Sequence, residues 1–183
     1  MKRSMKFACC IFITVISAAA QPSMGTFQQL ASLHHMRFAM PSHFTAVPVK
    51  ANRDIVYDFA MRSEIKKLEI RYRIVSIDRK DRNANAVHET MLATMAMNIS
   101  NGKTITPQRY PTTSVKKEFG ADAGCTGVVL TQSEFGNGYT MCMISVIHKD
   151  NVADAYTYYL FDEQDALIEA LTNSPIYHAL RFE

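Results

Sequence analysis

The segment LEIRYRIVSI, residues 68–77, alternates apolar and charged side chains along most of its length. Successive side chains of a strand point to opposite faces of a sheet, so this spacing predicts a strand. The inward residues are predicted to be Leu68, Ile70, Tyr72 and Ile74, and the outward residues Glu69, Arg71 and Arg73. One buried and one wetter face is typical of an antiparallel sheet.

The segments before this strand predict its neighbours. In DIVYDFAMR, residues 54–62, alternation predicts a strand with Ile55, Tyr57, Phe59 and Met61 on one face. The short polar link at residues 63–67 predicts that the two strands form a hairpin. Further upstream, residues 37–49 resemble a strand interrupted by Pro41 and Pro48, which favours a sheet edge over a central position.

A helix is predicted after this hairpin. Its apolar residues between Asn83 and Ile99 recur every three or four positions, namely Val87, Met91, Leu92, Met95, Ala96 and Ile99. Asn101-Gly102 provides a suitable left-handed end. A second, shorter helical turn is predicted at residues 114–119, before a glycine-rich connection.

Three further strands are predicted at residues 127–134, 139–148 and 153–161. A turn at Gly136-Asn137-Gly138 would place Cys125 almost opposite His148 or Lys149. The same register separates Cys125 from Cys142 by roughly 23 Å, which predicts two separate thiols. A disulfide would require a turn near Ser133-Glu134, or strands that are not direct hairpin partners.

The last elements complete an α+β order. Asp162 is predicted to cap a helix at residues 164–171, and residues 179–182 a final short strand. Strand, strand, helix, three-stranded meander and helix predict one domain, an antiparallel sheet of about six strands flanked by helices in an α/β/α sandwich.

The N-terminus has the layout of a secretory signal peptide. Residues 1–6 are basic without acids, residues 7–16 are apolar (FACCIFITVI), and small residues precede Gln21. We therefore predict cleavage after Ala20, an N-terminal segment at residues 21–35 that forms a short helix or loop, and one domain at residues 36–183. The protein is predicted to be exported to the periplasm or outside the cell.

Charge and length restrict the partners. Loss of residues 1–20 removes three basic side chains and leaves 17 basic and 17 acidic ones, so the net charge does not favour nucleic-acid binding. Because no later apolar run approaches the ~20 residues that cross a bilayer, no transmembrane segment is expected after cleavage.

The order of elements and the proline-bearing first strand resemble the PsbP-like fold superfamily. The resemblance covers about residues 36–182 and is carried by MPSHFTAVPVKANRDIVYDFAMRSEIKKLEIRYRI at residues 40–74, VKKEFGADAG at residues 115–124 and HKDNVADAYTYYLFDE at residues 148–163. This superfamily includes the extrinsic PsbP protein of photosystem II, a Ran-binding nuclear import factor and exported bacterial proteins of unknown function. The resemblance implies a non-catalytic binding or assembly role, with another protein or an envelope component as partner.

Two sets of residues are candidates for partner binding. Lys116, Lys117, Glu118 and Asp122 form a mixed-charge group beside the glycine-rich connection. Loops on a rigid scaffold often carry recognition, although a solvated turn explains the same residues. Tyr156 and Tyr158 share one face of a predicted strand, where they contact either a covering helix or a partner.

Two alternative functions depend on other residues. A small exported thiol hydrolase would use Cys125 with His148, because a thiolate nucleophile needs a neighbouring base. A metal-handling protein would use His34 and His35, with His43 as a further ligand, although adjacent histidines on a regular element point apart. No complete catalytic set is recognisable, and no cofactor is predicted.

Overall fold

The central feature of the fold is a seven-stranded antiparallel sheet, described in a computed structural model that covers residues 23–53, 55–77 and 87–183. The strands are β1 (Met36–Phe38), β2 (Phe44–Ala46), β3 (Phe59–Ser63), β4 (Leu68–Ser76), β5 (Gln108–Arg109), β6 (Ala123–Leu130), β7 (Met141–Lys149), β8 (Ala153–Phe161) and β9 (Leu180–Phe182). The helices are α1 (Met24–Leu33), α2 (His88–Ile99), α3 (Thr112–Phe119), α4 (Gln164–Thr172) and α5 (Ser174–Tyr177).

The strand order confirms both predicted hairpin groups. The large sheet runs β2-β3-β4-β8-β7-β6-β5, while β1 and β9 form a separate antiparallel ribbon. The predicted first hairpin is β3–β4, and the predicted meander is β6–β7–β8. Pro41 and Pro48 lie outside the strands, and β2 is an edge strand, as the sequence predicts.

Two hydrophobic cores lie on opposite faces of the large sheet. Helices α1, α3, α4 and α5 and the β1–β9 ribbon pack on the first face, and α2 packs on the second. On the first face, the ring of Phe27 from α1 stacks on Phe59 at a centroid distance of 5.0 Å. The predicted α+β sandwich is therefore confirmed, with seven strands in the sheet where about six were predicted.

The expected wet face of β4 is wrong. Glu69 and Arg71 are 2% and 1% exposed, because both lie on the face that forms the second core. The Arg71 guanidinium lies 4.8 Å from the ring centroid of Tyr57 and 4.5 Å from that of Phe135. Glu69 compensates the charge of Arg71. The alternation along β4 therefore separates an apolar buried face from a buried face that carries an ion pair.

The single face predicted for residues 55–61 is also wrong. Tyr57 belongs to the second core and Phe59 to the first. The change of face occurs at Asp58, whose carboxylate accepts a hydrogen bond of 2.7 Å from the backbone N–H of Ile74. This side chain replaces a ladder carbonyl where the strand begins, so regular alternation starts only at Phe59.

The connection between β6 and β7 shifts the predicted register. Cys125 pairs with Val146, and Cys142 pairs with Val129, so Cys125 is not opposite His148. The reason is a wide connection with a 3-10 turn at Glu134–Gly136, where the predicted tight turn was centred on Asn137. Cys125 and Cys142 are both buried and free, in agreement with two separate thiols.

Two local predictions need correction. Asp162 does not cap α4. It accepts hydrogen bonds from the backbone and hydroxyl of Thr140 and pairs with Lys67. In the first helix, the spacing of Phe27, Leu30, Ala31 and Leu33 predicts one apolar side, but Leu33 is 77% exposed.

Gly120 ends α3 and fixes it against β9. Its φ is 63°, and a Cβ at this position would lie 2.9 Å from the carbonyl oxygen of Phe182. Both the left-handed backbone and the close approach favour glycine. We expect Gly120→Ala to lower the free energy of unfolding by about 1–3 kcal/mol in urea denaturation. The control is Gly102→Ala, where φ is 99° and no atom of the described residues lies within 4 Å, so the backbone strain is the expected contribution.

Within the described residues, no helix combines the length and the apolar character needed to cross a membrane. The predicted signal peptide lies outside the described residues, as do Asp54 and the first predicted helical residues 83–86.

Candidate metal centre

The hairpin between β7 and β8 brings His148 and Asp154 together. The two strands are joined by residues 150–152, and the register pairs His148 directly with Asp154. Both side chains lie on the second-core face of the sheet, at the end nearest this turn. Directly paired residues of an antiparallel sheet have Cβ atoms about 5 Å apart, so their side chains are held in contact.

His148 contacts a carboxylate with each ring nitrogen. Nδ1 lies 2.6 Å from Oδ1 of Asp154, and Nε2 lies 2.9 Å from Oδ1 of Asp150. Burial alone lowers the pKa of His148, but hydrogen bonds to the two carboxylates outweigh it and leave the pKa raised. The imidazole is therefore an anchored and strongly hydrogen-bonded group in a buried position, 1% exposed.

His88 completes the group from the opposite layer. It is the first residue of α2, and its ring stacks on that of His148 with a centroid distance of 4.5 Å and an interplanar angle of 15°. The helix presents His88 to the sheet because it continues the buried stripe of Leu92, Met95, Ala96 and Ile99. This stripe replaces part of the predicted one, since Val87 and Met91 are 39% and 38% exposed.

His88, His148 and Asp154 are a candidate donor set for a metal ion. Because a nitrogen lone pair lies in the plane of its ring, one of the two stacked imidazoles must tilt for both to bind one ion. One ligating atom from each lies within 4.8 Å of the other two, and all three residues are buried. Tetrahedral coordination with bonds of about 2.1 Å places ligand atoms about 3.4 Å apart. A pair of ligand atoms at the 4.8 Å limit must therefore close by about 1.4 Å, and the 2.6 Å contact between His148 and Asp154 must open if the same two atoms bind the ion. Two imidazole nitrogens and one carboxylate oxygen suit zinc and other borderline divalent transition metals.

The surrounding charges favour a cation. Asp150 lies beside His148, and its backbone N–H donates a 3.1 Å hydrogen bond to Asp122. The hydroxyl of Tyr156 donates to Oδ2 of Asp154 at 3.4 Å, which orients the carboxylate. Outer-shell contacts of this type hold metal-ligating carboxylates in place. Glu89 is paired with Arg109 at 2.6 Å and adds no net charge.

Cys125 lies on the same face of the sheet as His148. It pairs with Val146, which is two residues before His148 on β7. Burial, with further contributions from Glu89 and Asp154, raises the pKa of this thiol to about 12. Burial also raises the pKa of Cys142. The thiolate is the nucleophilic form, so these surroundings disfavour the thiol-hydrolase hypothesis.

Both thiols are expected to resist alkylation in the native protein. Native chain treated with iodoacetamide at neutral pH should show little label on the peptides containing Cys125 and Cys142, because neither thiol is exposed or ionised. Mass spectrometry of the digested protein measures each site separately, and the urea-denatured chain is the labelled control. Rapid native labelling of Cys125 alone would contradict this expectation and would favour the hydrolase.

The structure does not bring the predicted metal ligands His34, His35 and His43 together. His34 is the C-terminal cap of α1, and His35 and His43 both have positive φ, at 54° and 61°. Within the described residues, the grouping of three or more possible metal ligands is His88, His148 and Asp154. The candidate metal ligands are therefore the buried residues His88, His148 and Asp154, in place of the three predicted histidines.

The predicted partner-binding residues lie in two different environments. Lys116 and Lys117 are exposed on α3, while Glu118 lies 3.6 Å from His178, and Asp122 is held by the Asp150 backbone. Tyr156 and Tyr158 are 1% and 0% exposed. Helix α2 covers them, and the Tyr158 hydroxyl contacts the sulfur of Met95 at 3.1 Å. These two tyrosines contact the core and cannot contact a surface partner.

Sequence reasoning missed His88 and Asp154. The signal for His88 was its place four residues before Leu92, in phase with the buried stripe. The signal for Asp154 was its pairing with His148 across the short Asp150–Val152 connection. Neither residue belongs to a short metal-binding motif, because the group is assembled from three elements.

The class defined by this architecture is an α/β/α sandwich around a mainly meandering antiparallel sheet. In particular, the chain has a PsbP-like fold: it is similar to the solution structure of cyanobacterial PsbP (CyanoP) from Synechocystis sp. PCC 6803, with a TM-score of 0.51 over 82% of this chain and 88% of that chain. Sequence identity is 13%, so the likeness concerns the fold alone. No known family model and no curated protein matches the chain.

Proposed function

We propose that this chain is an exported, non-catalytic binding protein whose second core holds a divalent transition metal ion. The observation that carries this proposal is the buried set of His88, His148 and Asp154, with ligating atoms within 4.8 Å of one another. A set of this kind placed between a helix and a hairpin also ties the two layers together.

The proposed assembly role has a different basis. The raised thiol pKa values disfavour covalent catalysis by cysteine, and the fold supports a binding role by analogy only. The partner is proposed to be another protein or an envelope component. The proposal that the protein is exported rests on the signal-peptide layout of residues 1–20: basic residues, then an apolar run, then small residues.

Cobalt titration tests the metal site directly. Co²⁺ is a spectroscopic substitute for zinc, and its visible absorption reports the number and type of ligands. Chain treated with chelator should bind one Co²⁺ tightly, with zinc displacing it. His88→Gln and His148→Gln should each weaken binding by about 100-fold or more, because a three-residue site loses one ligand.

The matched control is His34→Gln/His35→Gln, which removes two histidines outside the proposed site. This variant should bind Co²⁺ as tightly as the wild type. If binding is absent in the wild type, or is lost only in this control, the proposed centre is wrong. Circular dichroism of each variant shows whether the fold is retained.

A further inference from the structure

The outer side of the β1–β9 ribbon carries two arginines in an unusual arrangement. Arg37 and Arg181 are direct cross-strand partners and are both exposed. Their neighbours Met36, Phe38, Leu180 and Phe182 are buried in the first core. Alternation therefore forces both arginine side chains outward on the same side of the ribbon.

Glu183, two residues after Arg181, continues the same side of the ribbon, but it forms no salt bridge with either arginine. Neither guanidinium forms a salt bridge within the described residues, whereas Arg62, Arg71 and Arg109 each pair with a glutamate. Like charges directly opposite one another in a sheet are destabilising. An anion bound between the two guanidinium groups would supply the opposite charge.

Both arginines line a pocket of about 280 Å³ between the ribbon and α5. Ser174 and His178 add polar groups to this pocket, and no acidic side chain is among its described lining residues. Nε2 of His178 lies 3.6 Å from the carboxylate of Glu118. Apolar groups complete the lining, including Met40, Pro41 and Pro175. This volume suits a small ligand and is too small for a folded partner.

We propose that this pocket binds a small organic phosphate. Two guanidinium groups side by side offer paired N–H donors to the oxygens of one phosphate, and their two positive charges match its two negative ones. The Ser174 hydroxyl, which lies 3.0 Å from Nδ1 of His178, is a further polar group beside the arginines. The apolar lining contacts the organic part of the ligand. This site is separate from the metal centre, which lies on the other face of the sheet.

Calorimetric titration with phenyl phosphate, inorganic phosphate and benzoate tests the proposal. Phenyl phosphate carries a dianionic head and an apolar group, so it should bind with a stoichiometry of one. Inorganic phosphate, which lacks the apolar group, should bind more weakly. Benzoate has the ring and a single negative charge, so its binding should be weaker than that of phenyl phosphate. Equal affinity for benzoate would overturn the assignment to phosphate.

Two double variants with the same change of charge distinguish a site from general electrostatic attraction. Arg37→Gln/Arg181→Gln should weaken phenyl phosphate binding by about 100-fold, since it removes two charge-assisted contacts. Lys116→Gln/Lys117→Gln removes two exposed charges from α3 and should change the affinity by about twofold or less. Equal losses in both variants, or no saturable binding by the wild type, would overturn the proposal.

A conservative variant separates geometry from charge. Arg181→Lys keeps the positive charge and removes the planar fork, so the affinity should fall by about tenfold. Unchanged affinity would overturn the paired-donor geometry. Neither arginine is buried, and thermal unfolding without ligand should show that the variants fold at least as stably as the wild type. The metal titration is independent of these results, since no proposed metal ligand is altered.

Discussion

Glu69→Leu is expected to lower the free energy of unfolding by about 3–5 kcal/mol, because it leaves a buried arginine without its counter-charge. Oε1 of Glu69 lies 2.7 Å from Nε of Arg71, whose guanidinium is enclosed by the rings of Tyr57 and Phe135. Water cannot replace the lost carboxylate, since the Arg71 residue is 1% exposed. Urea denaturation followed by circular dichroism measures the loss.

Two further variants identify the cause of that loss. Glu69→Leu/Arg71→Met removes both charges, so it should be more stable than the single variant Glu69→Leu. Arg62→Met removes the other partner of Glu69. The Arg62 side chain is 46% exposed, so this change should lower the free energy of unfolding by about 1 kcal/mol or less. If the double variant is no more stable than Glu69→Leu, the uncompensated arginine is not the cause.

The same strand shows how far periodicity predicts this fold. Alternation predicts a strand at residues 68–77, and β4 spans Leu68–Ser76. The predicted inward face is also correct, because every second residue from Leu68 to Ile74 is buried in the first core. It could not predict that the opposite face is also covered, because Glu69 and Arg71 look like surface residues when considered separately. Their burial depends on pairing with each other and on rings brought from Tyr57 and Phe135, which are distant in sequence.

The candidate metal centre was predictable only in part. His148 was identified as a chemically interesting residue, but its proposed partner was Cys125, and the expected register was wrong. That register depended on which residues of a glycine-containing connection make the turn. His88 was overlooked because a histidine at the start of an amphipathic helix resembles a boundary residue. Side-chain packing between layers places its ring on that of His148.

Zinc is expected to stabilise the native chain strongly. A ligand that binds only the folded state adds RT ln(1 + [L]/Kd), which is about 2.7 kcal/mol at 100 times Kd. The proposed ligands come from α2, β7 and β8, so the unfolded chain does not hold them together. Urea denaturation with and without free zinc, at a concentration set from the cobalt competition, measures the increase.

Substitutions at two neighbouring aspartates determine which carboxylate holds the ion. Asp154→Asn should reduce the zinc-dependent increase from about 2.7 to about 0.4 kcal/mol at the same zinc concentration, because Asp154 supplies the oxygen of the three-residue set and its loss weakens binding by about 100-fold. Asp150→Asn should retain a reduced increase, because Asp150 contacts His148 without belonging to that set, and outer-shell changes weaken affinity by about 10-fold to 100-fold. Equal stabilisation of the wild type and Asp154→Asn would mean that zinc binds elsewhere. Loss of the increase in Asp150→Asn alone would instead indicate that the ion binds on the outer side of His148, between its Nε2 atom and the exposed carboxylate of Asp150.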